Sequence, residues 1–293
     1  MSSDPKSDTT DEVIQLLEQL SCSSPQSSDS PAEAVLSSGL LKSLKSSLVP
    51  EPLPIGGLQA YEFAEHKHLG DSVTLKGTDV ISFKARNNIY ITYGQINGLA
   101  GDFYGTMAPI CNGTTVEDQE HRFIYAWWTL FNKDSDAHSV LNLLKTEVDS
   151  FENAKTQQEL GQGVFSETYK PTGPWSAQWT TLRTLLTTSS YWRLGAVNLD
   201  HFGEDAGTAY NTGHRVALKL AATASPNADA VLSPKDRGDI LKTAYTMNAF
   251  ADHFLQDRFA SGHLRTPRRK LLDTLDVQTL QLASLDEQAK NLC

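Results

Sequence analysis

The stretch His253-Phe254-Leu255-Gln256-Asp257-Arg258-Phe259-Ala260-Ser261-Gly262-His263 carries the strongest structural and chemical signal in this sequence. His253 and Asp257 are four residues apart, so on a helix they lie on one face, one turn from each other. Gly262 is a helix-stop signal, and a chain that turns there can bring His263 back to the same point. Two imidazoles and a carboxylate form a three-donor set suited to zinc. The stretch therefore predicts a helix that leads into a zinc site.

Helical spacing of apolar residues extends through most of the chain after Leu58, whereas alternating strand patterns are scarce. The predicted helical segments span about Tyr90–Tyr104, His121–Phe131, Asp136–Ala154, Thr180–Arg193 and Gly207–Ala222. A last helix begins at Ser233, which can cap it, with Pro234 in the first turn and Asp236 at the positive end of the dipole. The best strand candidate is Val80–Phe83. The pattern predicts an all-α fold.

Composition divides the chain into two parts. Residues 1–55 are rich in Ser, Asp and Pro, which predicts a disordered arm, and residues 56–293 hold the predicted helical domain. The net charge of −10 argues against a stable nucleic-acid partner bound through a positive surface. The three scattered cysteines form no metal or disulfide pattern. With no signal peptide and no apolar run of about 20 residues, we expect a cytoplasmic protein without a transmembrane segment.

Further histidines and aspartates occur upstream in comparable settings. His66 and Asp71 surround a glycine, and Asp102 lies between glycines at the end of a helical stretch. His201 precedes the helix that bears His214. Thirteen residues on one continuous helix would leave the two about 140° apart, so we take His201 as the ligand and hold His214 in reserve.

These clusters resemble, in their order along the chain, the motifs of the zinc-dependent phospholipase C and P1 nuclease superfamily. The resemblance is closest to the bacterial and fungal proteins similar to phosphatidylcholine-hydrolysing phospholipase C. It is carried by His66–Asp71, Tyr93–Gly105, Asp200–Phe202 and Ala251–His263, of which the last is the most specific. It implies a mostly helical domain that binds two or three zinc ions and hydrolyses a phosphodiester with a metal-activated water.

The resemblance also implies a ligand set. Asp102, His201, His253 and Asp257 would form a first zinc site, in which Asp257 bridges to a second site that His66 completes. His263 would begin a third site. We further expect Asp102 to act on the catalytic water and Arg265 to contact the substrate phosphate.

Two departures from the family pattern leave alternatives open. Secreted relatives use their N-terminal amine as a ligand, but a long segment precedes His66 here, so we assign that role to Asp71. No histidine follows His263, so the third site is incomplete and the chain is a fragment, a truncated form or a two-metal variant. The leading prediction is hydrolysis of phosphatidylcholine or a similar phospholipid, with peripheral membrane contact. The alternatives are a P1-like single-strand nuclease and a truncated, non-catalytic helical protein with a partial metal site.

Overall fold

The computed structural model describes most of the predicted domain. The described residues are 62–76, 82–84, 90–132, 135–169, 194, 199–226 and 232–274. The predicted arm at residues 1–55 and the predicted helix at Thr180–Arg193 lie outside them. The boundary predicted between arm and domain falls in the same undescribed part.

The described part of the chain is mostly helical, as the apolar spacing predicted. Its helices are α1 (Phe63–Asp71), α2 (Tyr93–Leu99), α3 (Val116–Phe131), α4 (Ala137–Glu159), α5 (Phe165–Thr168), α6 (Gly203–Thr223), α7 (Pro234–Asp257), α8 (Ser261–Arg265) and α9 (Arg268–Thr274). A short 3-10 helix spans Ile110–Asn112. None of the helices in the described ranges is long and apolar enough to cross a membrane.

Helices α6 and α7 pack along each other at the centre of the fold, and α3 packs against α6. The core between them contains Phe123, Trp127, Met247, Phe250 and Phe254, all at most 2% exposed. Helix α7 places one stripe of its side chains in this core. Polar residues at the C-terminal end of that stripe are therefore buried as well.

The start of α7 follows its predicted capping signals. The Ser233 hydroxyl accepts a hydrogen bond from the Asp236 amide, the Asp236 side chain returns to the Ser233 amide, and Pro234 lies at the first helical position. The end of α7 differs from the prediction. The helix stops at Asp257, and Gly262 lies inside the short helix α8 rather than at a stop. Three residues, Arg258 to Ala260, make the turn between α7 and α8.

A small antiparallel hairpin accompanies the helices, and its first strand overlaps the predicted strand at Val80–Phe83. Strand β1 (Ser82–Lys84) pairs with β2 (Tyr90–Thr92), so the segment predicted as one helix from Tyr90 to Tyr104 begins as a strand. Thr92 determines where the helix starts, because its hydroxyl accepts a hydrogen bond from the Gln95 amide and Gln95 returns to the Thr92 amide. Helix α2 then ends at Leu99.

Candidate metal centre

Five segments bring six of the predicted donors to one place. His66 comes from α1, Asp102 from the loop after α2, His201 from the residues before α6, His253 and Asp257 from the end of α7, and His263 from α8. His66, His253 and Asp257 are fully buried and His201 is 2% exposed. Charged and titratable side chains are rarely buried to this degree unless they are paired or bind a metal.

The Asp257 carboxylate lies between two pairs of imidazole nitrogens. Its Oδ2 atom is 2.6 Å from His201 Nδ1 and 3.3 Å from His253 Nε2. Its Oδ1 atom is 3.4 Å from His66 Nε2 and 3.0 Å from His263 Nδ1. Each carboxylate oxygen therefore faces two nitrogen donors of its own.

Asp102 lies at the edge of the cluster, where 36% of its side chain is exposed. Its carboxylate oxygens are 3.9 Å from His201 Nδ1 and 3.9 Å from His253 Nε2. Two groups of donors are compact enough for one ion each: His66 with His253 and Asp257, and Asp102 with His201 and His253. His253 belongs to both groups, but its single free nitrogen can bind one ion only, so the two groups are alternatives at that residue.

Some of these contacts fit metal ligation, whereas the 2.6 Å between Asp257 Oδ2 and His201 Nδ1 is a hydrogen-bond distance. Both Asp257 oxygens and His263 Nδ1 are buried and lack a hydrogen bond of normal geometry, although imidazole and carboxylate atoms lie close together. Around a tetrahedral zinc ion, donor atoms lie about 3.4 Å apart, given bonds of about 2.1 Å. The 3.2 Å between His253 Nε2 and His201 Nδ1 and the 3.3 Å between His253 Nε2 and Asp257 match that spacing. The His and Asp donors could therefore hold a metal ion.

Outer contacts orient two of the imidazoles toward the cluster. His253 Nδ1 lies 2.9 Å from the carbonyl oxygen of Asn97, which can only accept, so Nδ1 carries the proton and Nε2 presents a lone pair. His66 Nδ1 lies 2.7 Å from Gln256 Oε1, which fixes the same tautomer in His66. Both rings are therefore prepared to bind a cation through Nε2.

A partly buried carboxylate, that of Asp200, holds the segment that carries His201. Asp200 accepts hydrogen bonds from the Ile110 amide at 2.8 Å and the Cys111 amide at 2.9 Å. Burial raises the pKa of Asp200, while these two amides and the His201 charge oppose that rise. Asp200 thus ties the loop before α6 to the 3-10 helix.

Glycine 101 allows His201 to approach. Gly101 has a φ of 70°, in the left-handed region, and a Cβ atom there would lie 2.5 Å from His201 Nε2. Any other residue would therefore push the imidazole away from the cluster.

The charges of the cluster are strongly coupled. Burial alone would raise the pKa of Asp257, but the imidazoles of His253 and His201 beside its carboxylate hold it well below its usual range. Burial would lower the pKa of His66 and of His201, yet the Asp257 carboxylate raises both above the ordinary value. Burial and the charge of His66 hold the pKa of His253 well below normal. A negative charge at Asp257 is thus balanced by several adjacent cationic or coordinating nitrogens.

Two predicted site residues and the reserve histidine lie elsewhere. Asp71 Oδ1 accepts a hydrogen bond from the Gly94 amide at 2.8 Å, and Oδ2 pairs with Lys67 at 2.9 Å, so Asp71 joins α1 to α2 rather than entering the cluster. Arg265 is exposed, two residues after His263 in α8. His214 binds Asn248 at 2.6 Å on the face of α6.

Sequence patterns gave no sign of several residues around the site. Gln256 and Asp200 each adjoin a predicted ligand, but nothing in their spacing assigns them a role. The Asn97 contact uses a backbone carbonyl, which leaves no sequence signal. Glu62, at the start of α1, is a buried carboxylate whose pKa is raised to about 8 by burial and by Glu147 and Asp102.

Comparisons with known proteins add no relative. None of the protein families, curated proteins or solved structures compared with this chain matches it. The likeness to the zinc phospholipase C and P1 nuclease superfamily therefore stays a prediction from the sequence motifs. The His and Asp groups that could hold a metal ion are a finding of the structure itself.

Proposed function

We propose that this protein is a zinc-dependent phosphodiesterase of the phospholipase C type. One observation carries the proposal: the buried Asp257 carboxylate faces four imidazole nitrogens, two on each oxygen, with Asp102 at the edge of the same cluster. A carboxylate in this position is suited to bridging two cations. His66, His253 and Asp257 could hold one ion, or Asp102, His201 and His253 could, because the single free Nε2 of His253 binds one ion only.

The donor chemistry selects the ion. Imidazole nitrogens make up most of the donor set, and nitrogen-rich sites favour zinc and related transition metals over magnesium and calcium, which prefer oxygen ligands. Bound zinc supplies a Lewis acid that polarises phosphoryl oxygens and lowers the pKa of water. Phosphodiester hydrolysis needs both effects.

The protein side chains supply the remaining chemistry. Asp102 is part exposed at the cluster edge, and loss of hydration raises the pKa of its carboxyl, so its carboxylate is a better proton acceptor for water than an ordinary aspartate. Arg265 is exposed next to His263 and can bind a substrate phosphate through its guanidinium. The order of the sequence motifs favours a phospholipid, phosphatidylcholine or a similar one, as the substrate.

The test combines metal content with hydrolysis. Zinc per chain would be counted on purified protein, and hydrolysis of phosphatidylcholine, a soluble phosphodiester and single-stranded DNA would be measured. His253→Ala removes a donor common to both metal groups, whereas His138→Ala replaces an exposed histidine on α4 as the matched control. We expect one to two zinc ions per wild-type chain and at least a hundredfold loss of activity in His253→Ala alone.

Three results would contradict the proposal. Wild-type protein without bound zinc would leave the cluster as a non-catalytic remnant. Activity unchanged by His253→Ala would place catalysis elsewhere. Hydrolysis of single-stranded DNA in preference to lipid would replace the phospholipid substrate by a nucleic acid.

A further inference from the structure

The segment that follows the metal centre has a composition opposite to that of the chain as a whole. Residues 258–272 contain five Arg or Lys residues and no Asp or Glu, in a chain with a net charge of −10. The five are Arg258, Arg265, Arg268, Arg269 and Lys270. Arg265 and Lys270 are exposed, and Arg258 is 37% exposed. The segment is thus a cationic surface on an acidic protein.

Nearby carboxylates offset part of this charge. Asp205 accepts three hydrogen bonds from Arg269, and Glu204 lies 3.5 Å from Arg258. Glu204 is itself 97% exposed, so its ion pair is weak. The cations still outnumber the two acids across the segment, and the surface remains positive.

Two apolar side chains project from the same segment. Phe259 in the turn after α7 is 71% exposed, and Leu264 in α8 is 58% exposed. Single exposed apolar residues are common on protein surfaces and carry little weight alone. In residues 258–272, however, they occur within a run of cations that has no acid, which is the composition of segments that insert into the headgroup region of membranes.

This segment is also continuous with the metal centre. It begins one residue after Asp257 and contains His263, and the His263 ring packs edge-on against Phe202 at 4.7 Å. The Arg268 guanidinium lies over the Phe202 ring, 5.7 Å from the ring centroid. A bilayer that met residues 258–272 would therefore lie next to the metal donors.

We propose that residues 258–272 dock the protein on anionic phospholipid bilayers, with Phe259 and Leu264 entering the headgroup region and Arg265 and Lys270 binding acidic headgroups. This inference rests on the proposed function and names the surface through which the site reaches a lipid. A single-stranded nucleic acid fits less well, because Leu264 cannot stack on a base and Phe259 is the one Phe, Tyr or Trp in the segment.

The experiment measures partition of the full chain into vesicles of phosphatidylcholine, with and without about a third phosphatidylserine, at about 0.1 M and about 1 M salt. We expect tighter binding to the anionic vesicles, weakened by salt. The Phe259→Ala/Leu264→Ala double variant should bind at least tenfold less, as should Arg265→Glu/Lys270→Glu. The matched control is Leu160→Ala/Val164→Ala, since these side chains are 61% and 55% exposed beyond α4.

Hydrolysis of a soluble phosphodiester separates this inference from the proposed function. The Phe259→Ala/Leu264→Ala variant should retain that hydrolysis while it loses vesicle binding. Soluble activity without any vesicle binding would overturn the docking surface alone, whereas vesicle binding by a protein without any hydrolytic activity would overturn the proposed function alone. Equal losses in the Leu160→Ala/Val164→Ala control, or tighter binding of oligodeoxythymidylate than of vesicles, would also overturn the docking surface.

Discussion

Asp257 is the residue on which the cluster depends, because its charge sets the protonation of its neighbours. It raises the pKa of His66 and of His201, while His253 beside it is held neutral by burial and by His66. A bound cation would replace protons as the partner of the carboxylate. Metal binding at this site would therefore release protons, and the outer contacts of each imidazole determine which nitrogen would take part.

Gln256 offers a test of such an outer contact. Its Oε1 lies 2.7 Å from His66 Nδ1, and removal of that acceptor frees the ring to rotate and change tautomer. We expect Gln256→Ala to weaken zinc binding about 10- to 100-fold, measured by competition with a chelator, with little change in helical content. Gln158→Ala, at an exposed position of α4, is the matched control. Equal zinc affinity in Gln256→Ala and wild type would show that the contact does not orient His66.

At the scale of single elements, the backbone at Gly101 determines how closely the loop after α2 approaches His201. Gly101 and Gly161 both have a positive φ, of 70° and 67°. A Cβ at Gly101 would meet His201 Nε2 at 2.5 Å, whereas a Cβ at Gly161 would meet nothing within 4 Å. Alanine at either position costs about 1–2 kcal/mol of backbone strain. Only Gly101→Ala should also displace the imidazole.

The expected difference can be measured directly. Both variants should lose a similar part of the free energy of unfolding from strain, and Gly101→Ala should lose more because His201 or the loop must move. We expect Gly101→Ala to bind less zinc per chain and Gly161→Ala to match wild type, with urea unfolding and zinc titration as the measurements. Identical behaviour of the two variants would mean that the His201 contact is not critical.

The elements also show what the sequence could predict. Long apolar stripes at helical spacing identify a helix from the local sequence alone, and they predicted α3, α4, α6 and α7. The Ser233 cap also predicted the start of α7. The region before α2 was wrongly predicted as helix, because a three-residue strand gives too short a pattern to recognise. The cap at Thr92 was not part of the prediction. Local signals therefore predicted the long helices and part of β1, through the Val80–Phe83 pattern, but not β2.

Over the whole molecule, the sequence could predict those donors of the candidate site that lie close together along the chain. His253 and Asp257 follow from one helix turn, but the approach of His66, Asp102 and His201 depends on how α1, α2 and α6 pack. Asp71 illustrates the limit. It lies close to the predicted ligand His66 in sequence, yet its carboxylate accepts a hydrogen bond from the Gly94 amide and so links α1 to α2. Packing between helices, which one sequence does not encode in any short pattern, decides between such roles.

Because five segments meet at the cluster, a bound ion should stabilise the entire fold. A ligand that binds only the folded state stabilises it by RT ln(1 + [L]/Kd), about 4 kcal/mol at a thousandfold excess over Kd. We therefore expect zinc to raise the unfolding free energy and a chelator to lower it. We call this rise in unfolding free energy the zinc increment. His138→Ala should retain it in full, and Asp257→Asn should lose most of it, because Asp257 contacts all four imidazoles.

The zinc increment should also depend on pH in a defined direction. The pKa of His66 and of His201 is raised above 6.5, so in zinc-free protein their contribution to stability is complete below that value and is lost as pH rises through the raised pKa. Zinc requires the unprotonated rings, so its contribution to stability has the opposite pH dependence. It is present above the raised pKa and is lost as pH falls. Asp257 stays ionised throughout, since its pKa is well below its usual range. Urea unfolding with zinc and with chelator across pH 6.5 and upward should thus give a difference that grows with pH. A zinc increment that is constant over this range would show that these histidines are not ligands.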